Sequence, residues 1–424
     1  MSTFEVEVFQ NEYLPSGGTE VNAIVTVSSA GFAGTGEAPD AAEIVIVDSS
    51  GSMDVPRAKM HAARDATAVA IDCIRDGVLF GVIAGNEKVS HVYPPGGGLE
   101  PASERTRTAA KQAAGKLRAG GGTSIGKWLG AANDAFAAAP GRVCHAILLT
   151  DGANEHETRE QLEATLAVCE GRFQCDCRGV GTDWQVSELR RIASVLLGSV
   201  DIIADPAAMA ADFRAMTEAA MGKTTGSVSL RVWTPQGARV QFIRQVAPTI
   251  EELTDRATAS KPLTADYPTG SWGEESRDYH LCIEVPPREA GGEMLAGRIG
   301  LLHGDEVLSQ GLIKAVWTND HQLSTQISHQ VAHYTGQAEL AECIQEGLDA
   351  RKAGDNATAT FKLGRAVQLA AQSGNDDTMK LLAAVVDVED PATGTVRLRN
   401  QITDVDEMAL DTRSTRTVRV GPGA

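Results

Sequence analysis

Ile44-Val45-Ile46-Val47-Asp48-Ser49-Ser50-Gly51-Ser52 is the stretch on which the fold turns. Four β-branched aliphatic residues in a row fit a short strand buried on both faces, the environment of a parallel sheet covered by helices. The run ends in a carboxylate and a set of small hydroxyl residues. Gly51 permits a tight turn that brings the Ser50 and Ser52 hydroxyls toward one point. A helical stretch follows, with Met60, Ala63, Thr67, Ala70 and Ile74 on one stripe.

The same rhythm continues outward. Apolar strands are expected at 78–84, 144–150, 173–180 and 200–204, with an edge strand at 88–93. Helices are expected at 103–117, 125–138, 157–169 and 186–196. Alternation of this kind predicts a doubly wound, Rossmann-like α/β domain over 42–220. Ligands of open α/β sheets bind at the carboxyl ends of the strands, where Asp48, Ser50 and Ser52 fall. Two further segments reach that edge. Gly120-Gly121-Gly122-Thr123 opens a helix and offers a hydroxyl, and the strand Leu148-Leu149-Thr150-Asp151 ends in a carboxylate. A plainer alternative is that Asp48 and Ser50 only cap the following helix.

An Asp-x-Ser-x-Ser turn, a loop threonine and an apolar strand ending Thr-Asp-Gly together resemble the metal-ion-dependent adhesion site of von Willebrand factor A and integrin I domains. All five positions are present in the family's order: Asp48, Ser50, Ser52, Thr123 and Asp151. The resemblance implies a divalent cation, Mg²⁺ with Mn²⁺ as alternative. Ser50, Ser52 and Thr123 would ligate directly, and Asp48 and Asp151 mostly through water. An open coordination position would attract an exposed Asp or Glu of a protein partner. Oxygen donors and retained waters suit Mg²⁺. The positive end of a helix opening at this turn would oppose the cation, predicting modest affinity until an acidic partner binds.

Outside this domain the pattern changes. Alternating residues over 4–28, broken by Pro15-Ser16-Gly17-Gly18, read as two strands, and 31–39 as a small-residue linker. Residues 226–318 read as an antiparallel β-sandwich, which strands from 1–30 would complete around the inserted α/β domain. Residues 325–387 read as a helical hairpin, with Leu340, Ile344, Leu348, Phe361, Leu363 and Val367 at helical spacing. The segment 389–424 lacks sustained periodicity and is expected to be a flexible tail. It clusters Arg413, Arg416 and Arg419 among hydroxyls, with Thr415 and Thr417 each three residues before a valine. That spacing resembles ligands of forkhead-associated domains, which read phosphothreonine. The whole layout resembles bacterial, actinobacterial-type von Willebrand A proteins that accompany Ser/Thr kinases and forkhead-associated proteins. Phosphorylation at Thr415 or Thr417, and a phospho-regulated adaptor role, follow as an alternative reading.

The 424 residues carry a net charge of −18, which argues against general nucleic-acid binding. No run is long and apolar enough for a membrane span. The opening Met1-Ser2-Thr3-Phe4 lacks the features of a secretory signal, and the seven scattered cysteines fit reduced thiols. A cytoplasmic scaffold is expected. Catalysis is not: the haloacid-dehalogenase-like phosphotransferases, which also begin at a strand-end Asp, need a second Asp where Ser50 stands. His145 sits inside an apolar strand and reads as a satisfied core residue. His329 and His333 are four apart but lack the Glu of zinc hydrolases, and read as a solvated helix face.

Overall fold

A computed structural model describes residues 3–31 and 40–420, which fall into two compact units. The linker expected over 31–39 lies, from residue 32 on, outside the described residues. One unit is built on 40–227 with 270–273, the other on 3–31, 228–269 and 274–420.

The first unit is the α/β domain. Its sheet runs Val200–Ile203, Gln174–Val180, Val143–Thr150, Ala41–Asp48, Leu79–Gly85 and Val89–Tyr93. The first five strands are parallel; Val89–Tyr93 and the short Glu100–Pro101 pair antiparallel with Leu79–Gly85. Ala41–Asp48 lies near the middle, with Val45 opposite Ile147 on one side and Val82 on the other, and every residue of it is buried. Central position explains the unbroken aliphatic run, because helices cover both faces. The helix Ala58–Cys73 buries Met60, Ala63, Thr67 and Ala70, the stripe expected from spacing. A further helix, Met209–Met221, was not separately anticipated; its Met209, Phe213 and Met216 pack into a core with Val47, Met60 and Val180.

The second unit contains two sheets. One runs Thr3–Gln10, Glu20–Ala30, Ser276–Glu284, Arg239–Ala247 and Glu251–Glu252. The other runs Thr258–Lys261, Thr264–Trp272, Thr225–Trp233, Glu293–His303, Glu306–Thr318 and Tyr13–Pro15. Val25 pairs with Val8 and with Tyr279, and Tyr13 pairs with Val316, so N-terminal strands enter both sheets. The sheets meet closely at Gly297, where an added Cβ would sit 2.7 Å from Ile283 Cδ1. Three of these strands, Thr258–Lys261, Thr264–Trp272 and Glu306–Thr318, were missed from sequence. Glycines and polar residues within them blur the alternation.

His329–Lys352 and Asn356–Ser373 form the helical pair, with Leu340, Ile344, Leu348, Leu363 and Val367 in its core. Gly347 allows close approach, since a Cβ there would lie 2.8 Å from Leu363 Cγ. Phe361 departs from expectation: it is 71% exposed, one step off the buried stripe. A third helix, Asp376–Val385, extends the hairpin.

The segment expected to be a flexible tail is instead structured as far as residue 420. Val386–Asp390 and Thr395–Leu398 pair as a hairpin, and Asp404–Arg413 is a helix whose Leu410 is fully buried among Leu340, Leu348 and Leu382. A ten-residue helix with few apolar anchors shows too little periodicity to be read alone. Tertiary packing supplies the stability that its own sequence lacks.

Candidate metal centre

Asp48 is the last residue of the central strand and is wholly buried. Both its oxygens are engaged. Ser50 N–H donates to Oδ1 at 2.7 Å, and Thr150 Oγ1 donates to Oδ2 at 2.6 Å. Burial pushes the Asp48 carboxyl up to about 6, with the Thr150 and Ser50 hydrogen bonds acting in the opposite direction.

The hydroxyls form a chain from this carboxylate. Ser50 Oγ and Ser52 Oγ are 2.8 Å apart, and Ser52 Oγ donates to Asp151 Oδ1 at 2.6 Å. The glycine loop is held against the turn by two backbone bonds, Gly51 N to Gly121 O at 2.9 Å and Gly120 N to Ser49 O at 2.8 Å. Thr123 comes near through Gly152: a Cβ at residue 152 would lie 3.5 Å from both Ser52 Oγ and Thr123 Oγ1. The absence of a side chain at 152 thus leaves room between those two hydroxyls. All five residues singled out from sequence lie at one rim of the sheet.

The local turn differs from expectation in one respect. It leads into a short 3-10 turn, Gly51–Asp54, and the α-helix begins only at Ala58. Ser50 makes no side-chain capping bond, and Arg57 occupies the cap of the α-helix. The capping alternative therefore does not describe these side chains. The opposing helix dipole also loses weight, because its field falls off within the first turn.

Lys59 is a member of the site that sequence reading missed. Its Nζ lies 2.8 Å from Asp151 Oδ2 and 3.8 Å from Asp183 Oδ2, and its side chain is 8% exposed. Lys59 reads as a surface helix residue from sequence, and only the packed structure carries it to the rim. Thr150 and Gly152 belong to the strand end read from sequence, and the structure adds their roles: Thr150 donates to Asp48, and Gly152 leaves room beside Thr123.

These oxygens suit a hard cation: two carboxylates and three hydroxyls, with both carboxylates buried and Asp151 paired with Lys59. Among the described residues no group of three or more His, Cys, Asp or Glu side chains is gathered for a metal ion. His333 Nε2 contacts Val418 O at 2.8 Å, and its ring stacks 6.5 Å from that of His329. The cysteines among the described residues are all free.

His145 is a satisfied core residue. Its Nδ1 lies 2.9 Å from Glu43 Oε1 and its Nε2 3.0 Å from Asp176 Oδ2, linking three adjacent strands. Thr415 and Thr417 do not lie on a free tail. Thr417 Oγ1 donates to Val246 O at 2.6 Å, Thr417 N–H to Pro248 O at 3.1 Å, and Ile250 N–H to Thr415 O at 2.8 Å.

The open parallel sheet with an oxygen-rich rim defines an α/β module of the von Willebrand type. A von Willebrand factor type A domain model matches residues 42–202, and a von Willebrand factor type A C-terminal domain model matches 368–414. A von Willebrand factor type A protein from Catenulispora acidiphila is 50% identical, with 99% of this chain and 97% of that one covered at a TM-score of 0.94. The chain belongs to the von Willebrand factor type A family. The ArnB paralog VWA2 from Sulfolobus acidocaldarius shares the fold over 98% of both chains, at 15% identity and a TM-score of 0.62. An uncharacterized protein of Synechocystis is 28% identical over 216 residues; the chain spans about half (49%) of that curated relative's length.

Proposed function

We propose that the α/β unit is a metal-dependent protein-interaction module, and that the protein acts as a cytoplasmic scaffold. Domains of this family often mediate protein–protein interaction and commonly bind a divalent cation. The single observation that supports the reading here is the chain of contacts from Asp48 through Ser50 and Ser52 to Asp151, with Thr123 across Gly152. Ser50, Ser52 and Thr123 would hold the ion directly, and Asp48 and Asp151 would supply its counter-charge. Mg²⁺ is the expected ion, with Mn²⁺ able to replace it. When bound, the cation offers a partner's Asp or Glu carboxylate a positive acceptor at the surface. Lys59 neutralises part of Asp151, so the ion would keep residual positive charge, which favours an acidic partner.

Free cysteines fit a reducing compartment, and no helix among the described residues is long and apolar enough to cross a membrane. Binding without turnover is the expected behaviour, since Ser50 stands where a phosphotransferase of the haloacid-dehalogenase type needs its second Asp. Calorimetry with Mg²⁺ and Mn²⁺ tests the reading. Wild-type protein should bind either ion in a 1:1 ratio, and Asp48→Ala should lose that binding while keeping its fold. Unchanged binding by Asp48→Ala would refute it.

Regulation through Thr415 or Thr417 by a Ser/Thr kinase and a forkhead-associated partner would require release of the segment that holds Thr417 against Val246 and Pro248. Phosphate mapping on protein from the native host, with and without Thr417→Val, tests that route; unmodified threonines under all growth conditions would exclude it.

A further inference from the structure

After the helix Asp404–Arg413 the chain runs back over the first sheet of the second unit, and residues 415–420 are fastened there step by step. Ile250 N–H donates to Thr415 O at 2.8 Å, and Thr249 forms an antiparallel β-bridge with Arg416. Thr417 N–H donates to Pro248 O at 3.1 Å, and Thr417 Oγ1 to Val246 O at 2.6 Å. His333 Nε2 donates to Val418 O at 2.8 Å. Arg419 Nη2 lies 3.2 Å from Asp278 Oδ1. Val420 packs on a cluster of Ile24, Val246, Ala247, Val331 and Tyr334.

Asp278 sets the character of this groove. Its side chain is 6% exposed, and its other oxygen accepts from the Tyr334 hydroxyl. A buried carboxylate is costly without a cation, and Arg419 supplies the counter-charge. Beside it the cluster around Tyr334 takes an aliphatic side chain. Backbone bonds such as those to 246–250 accept any strand-like segment, while side-chain subsites decide which one. The groove therefore reads a short pattern, an arginine followed by an aliphatic residue, as in Thr417-Val418-Arg419-Val420. Its floor belongs to the strands Glu20–Ala30, Arg239–Ala247 and Ser276–Glu284 and the helix His329–Lys352. Thr417 and Val418 also border a cavity of about 480 Å³, so part of the segment faces open space. It can leave without taking an element of the core with it.

We propose that this groove is a docking site for an arginine-bearing segment of a partner protein, and that residues 417–420 occupy it in cis. The chain's own segment is then an internal competitor. Tethered to the groove, it acts at an effective concentration of about a millimolar, so a partner must match its contacts to displace it. Charge fixes the chemistry of that partner: a guanidinium for Asp278, followed by an aliphatic side chain for the cluster around Tyr334. The groove lies in the other unit from Asp48 and does not depend on the metal reading.

The test compares full-chain wild type with Arg419→Glu, whose new carboxylate would face Asp278 and drive the segment out. The Arg419 side chain is 42% exposed, so the variant should fold, which a melting curve checks; Arg419→Ala takes its place if it does not. Trypsin cleavage after Arg413 and Arg416 reads the release, and should be at least about tenfold faster in the variant. Fluorescence anisotropy then follows a labelled peptide Ser-Thr-Arg-Thr-Val-Arg-Val, the sequence of 414–420, and the same peptide with alanine for its second arginine. The variant should bind the first peptide in a 1:1 ratio, at least about tenfold more tightly than wild type does and than it binds the alanine peptide. Unchanged cleavage, absence of binding by the variant, or equal binding of the two peptides would overturn the proposal. A wild-type dimer in light scattering that Arg419→Glu dissolves would give the groove to a second copy and overturn the assignment to a partner protein.

Discussion

Replacing His145 by leucine should cost the α/β unit more stability than replacing His145 and Glu43 together. Glu43 is 0% exposed and His145 6%, in adjacent strands of the parallel sheet. Nδ1 of His145 lies 2.9 and 3.0 Å from the two Glu43 oxygens. On its other side, Nε2 reaches Asp176 Oδ2 at 3.0 Å, while Asp176 Oδ1 accepts from Ser199 N and Oγ at 2.7 and 2.6 Å. Burial opposes the imidazolium charge, but the Glu43 carboxylate and the Asp176 hydrogen bond overcome it and push His145 up to about 10. Burial also acts to raise Asp176, yet the His145 bond and charge outweigh it and hold that carboxyl well below its usual range. Glu43 is raised by burial, with His145 opposing. His145→Leu strands a buried carboxylate, and breaking such a pair costs about 3–5 kcal/mol. Glu43→Leu/His145→Leu removes the stranded charge and should recover a large part of that loss. The sign with pH follows from the folded value lying above the ordinary 6.5. The stabilisation is complete below pH 6.5 and is lost as pH rises from 6.5 through about 10. Urea unfolding read by pulse proteolysis, with fragments from 40–227 identified by mass, measures both effects. A double variant as unstable as His145→Leu, or a wild-type advantage that stays flat from pH 6.5 to 10, would refute the reasoning.

Lys59→Met should tighten Mg²⁺ binding by about tenfold, since it removes a cation 2.8 Å from Asp151; a residual effect of roughly 1–2 kcal/mol is expected at a solvated rim. Calorimetry beside Asp48→Ala measures it, and weaker binding would show that Lys59 supports the site. Gly179→Ala should destabilise the α/β unit by about 1–3 kcal/mol or more, because its methyl group would overlap the Trp184 ring; thermal melting checks this. Thr417→Val removes the donor to Val246 O and should cost about 1 kcal/mol, seen as faster proteolysis around residues 413–420 than in wild type. Equal cleavage rates would mean that the hydroxyl does not fasten this segment.

Much of the α/β unit was legible because its signals are local. Ile44 to Val47 can be uniformly aliphatic only in a strand covered on both sides, and a carboxylate directly after them falls at the strand end. Thr123 and Asp151 are singled out as candidates the same way, each being the polar residue that ends a loop or strand at that edge. The strand Glu306–Thr318 was missed because it alternates poorly, with both glycine and charge along it. The helix Asp404–Arg413 was missed because three buried residues in ten turn no periodicity test.

What the sequence by itself determined is the identity and order of five oxygen-bearing side chains, Asp48, Ser50, Ser52, Thr123 and Asp151, and the sheet rim on which they sit. Backbone periodicity and strand-end position suffice for that. Only the tertiary structure decided which charges meet them or meet each other. Lys59 reaches Asp151 from a helix 92 residues earlier in the chain, and Arg419 reaches Asp278 at 3.2 Å from the C-terminal segment. Neither pairing leaves a mark on local spacing, because long side chains at solvated positions are compatible with many partners until packing selects one.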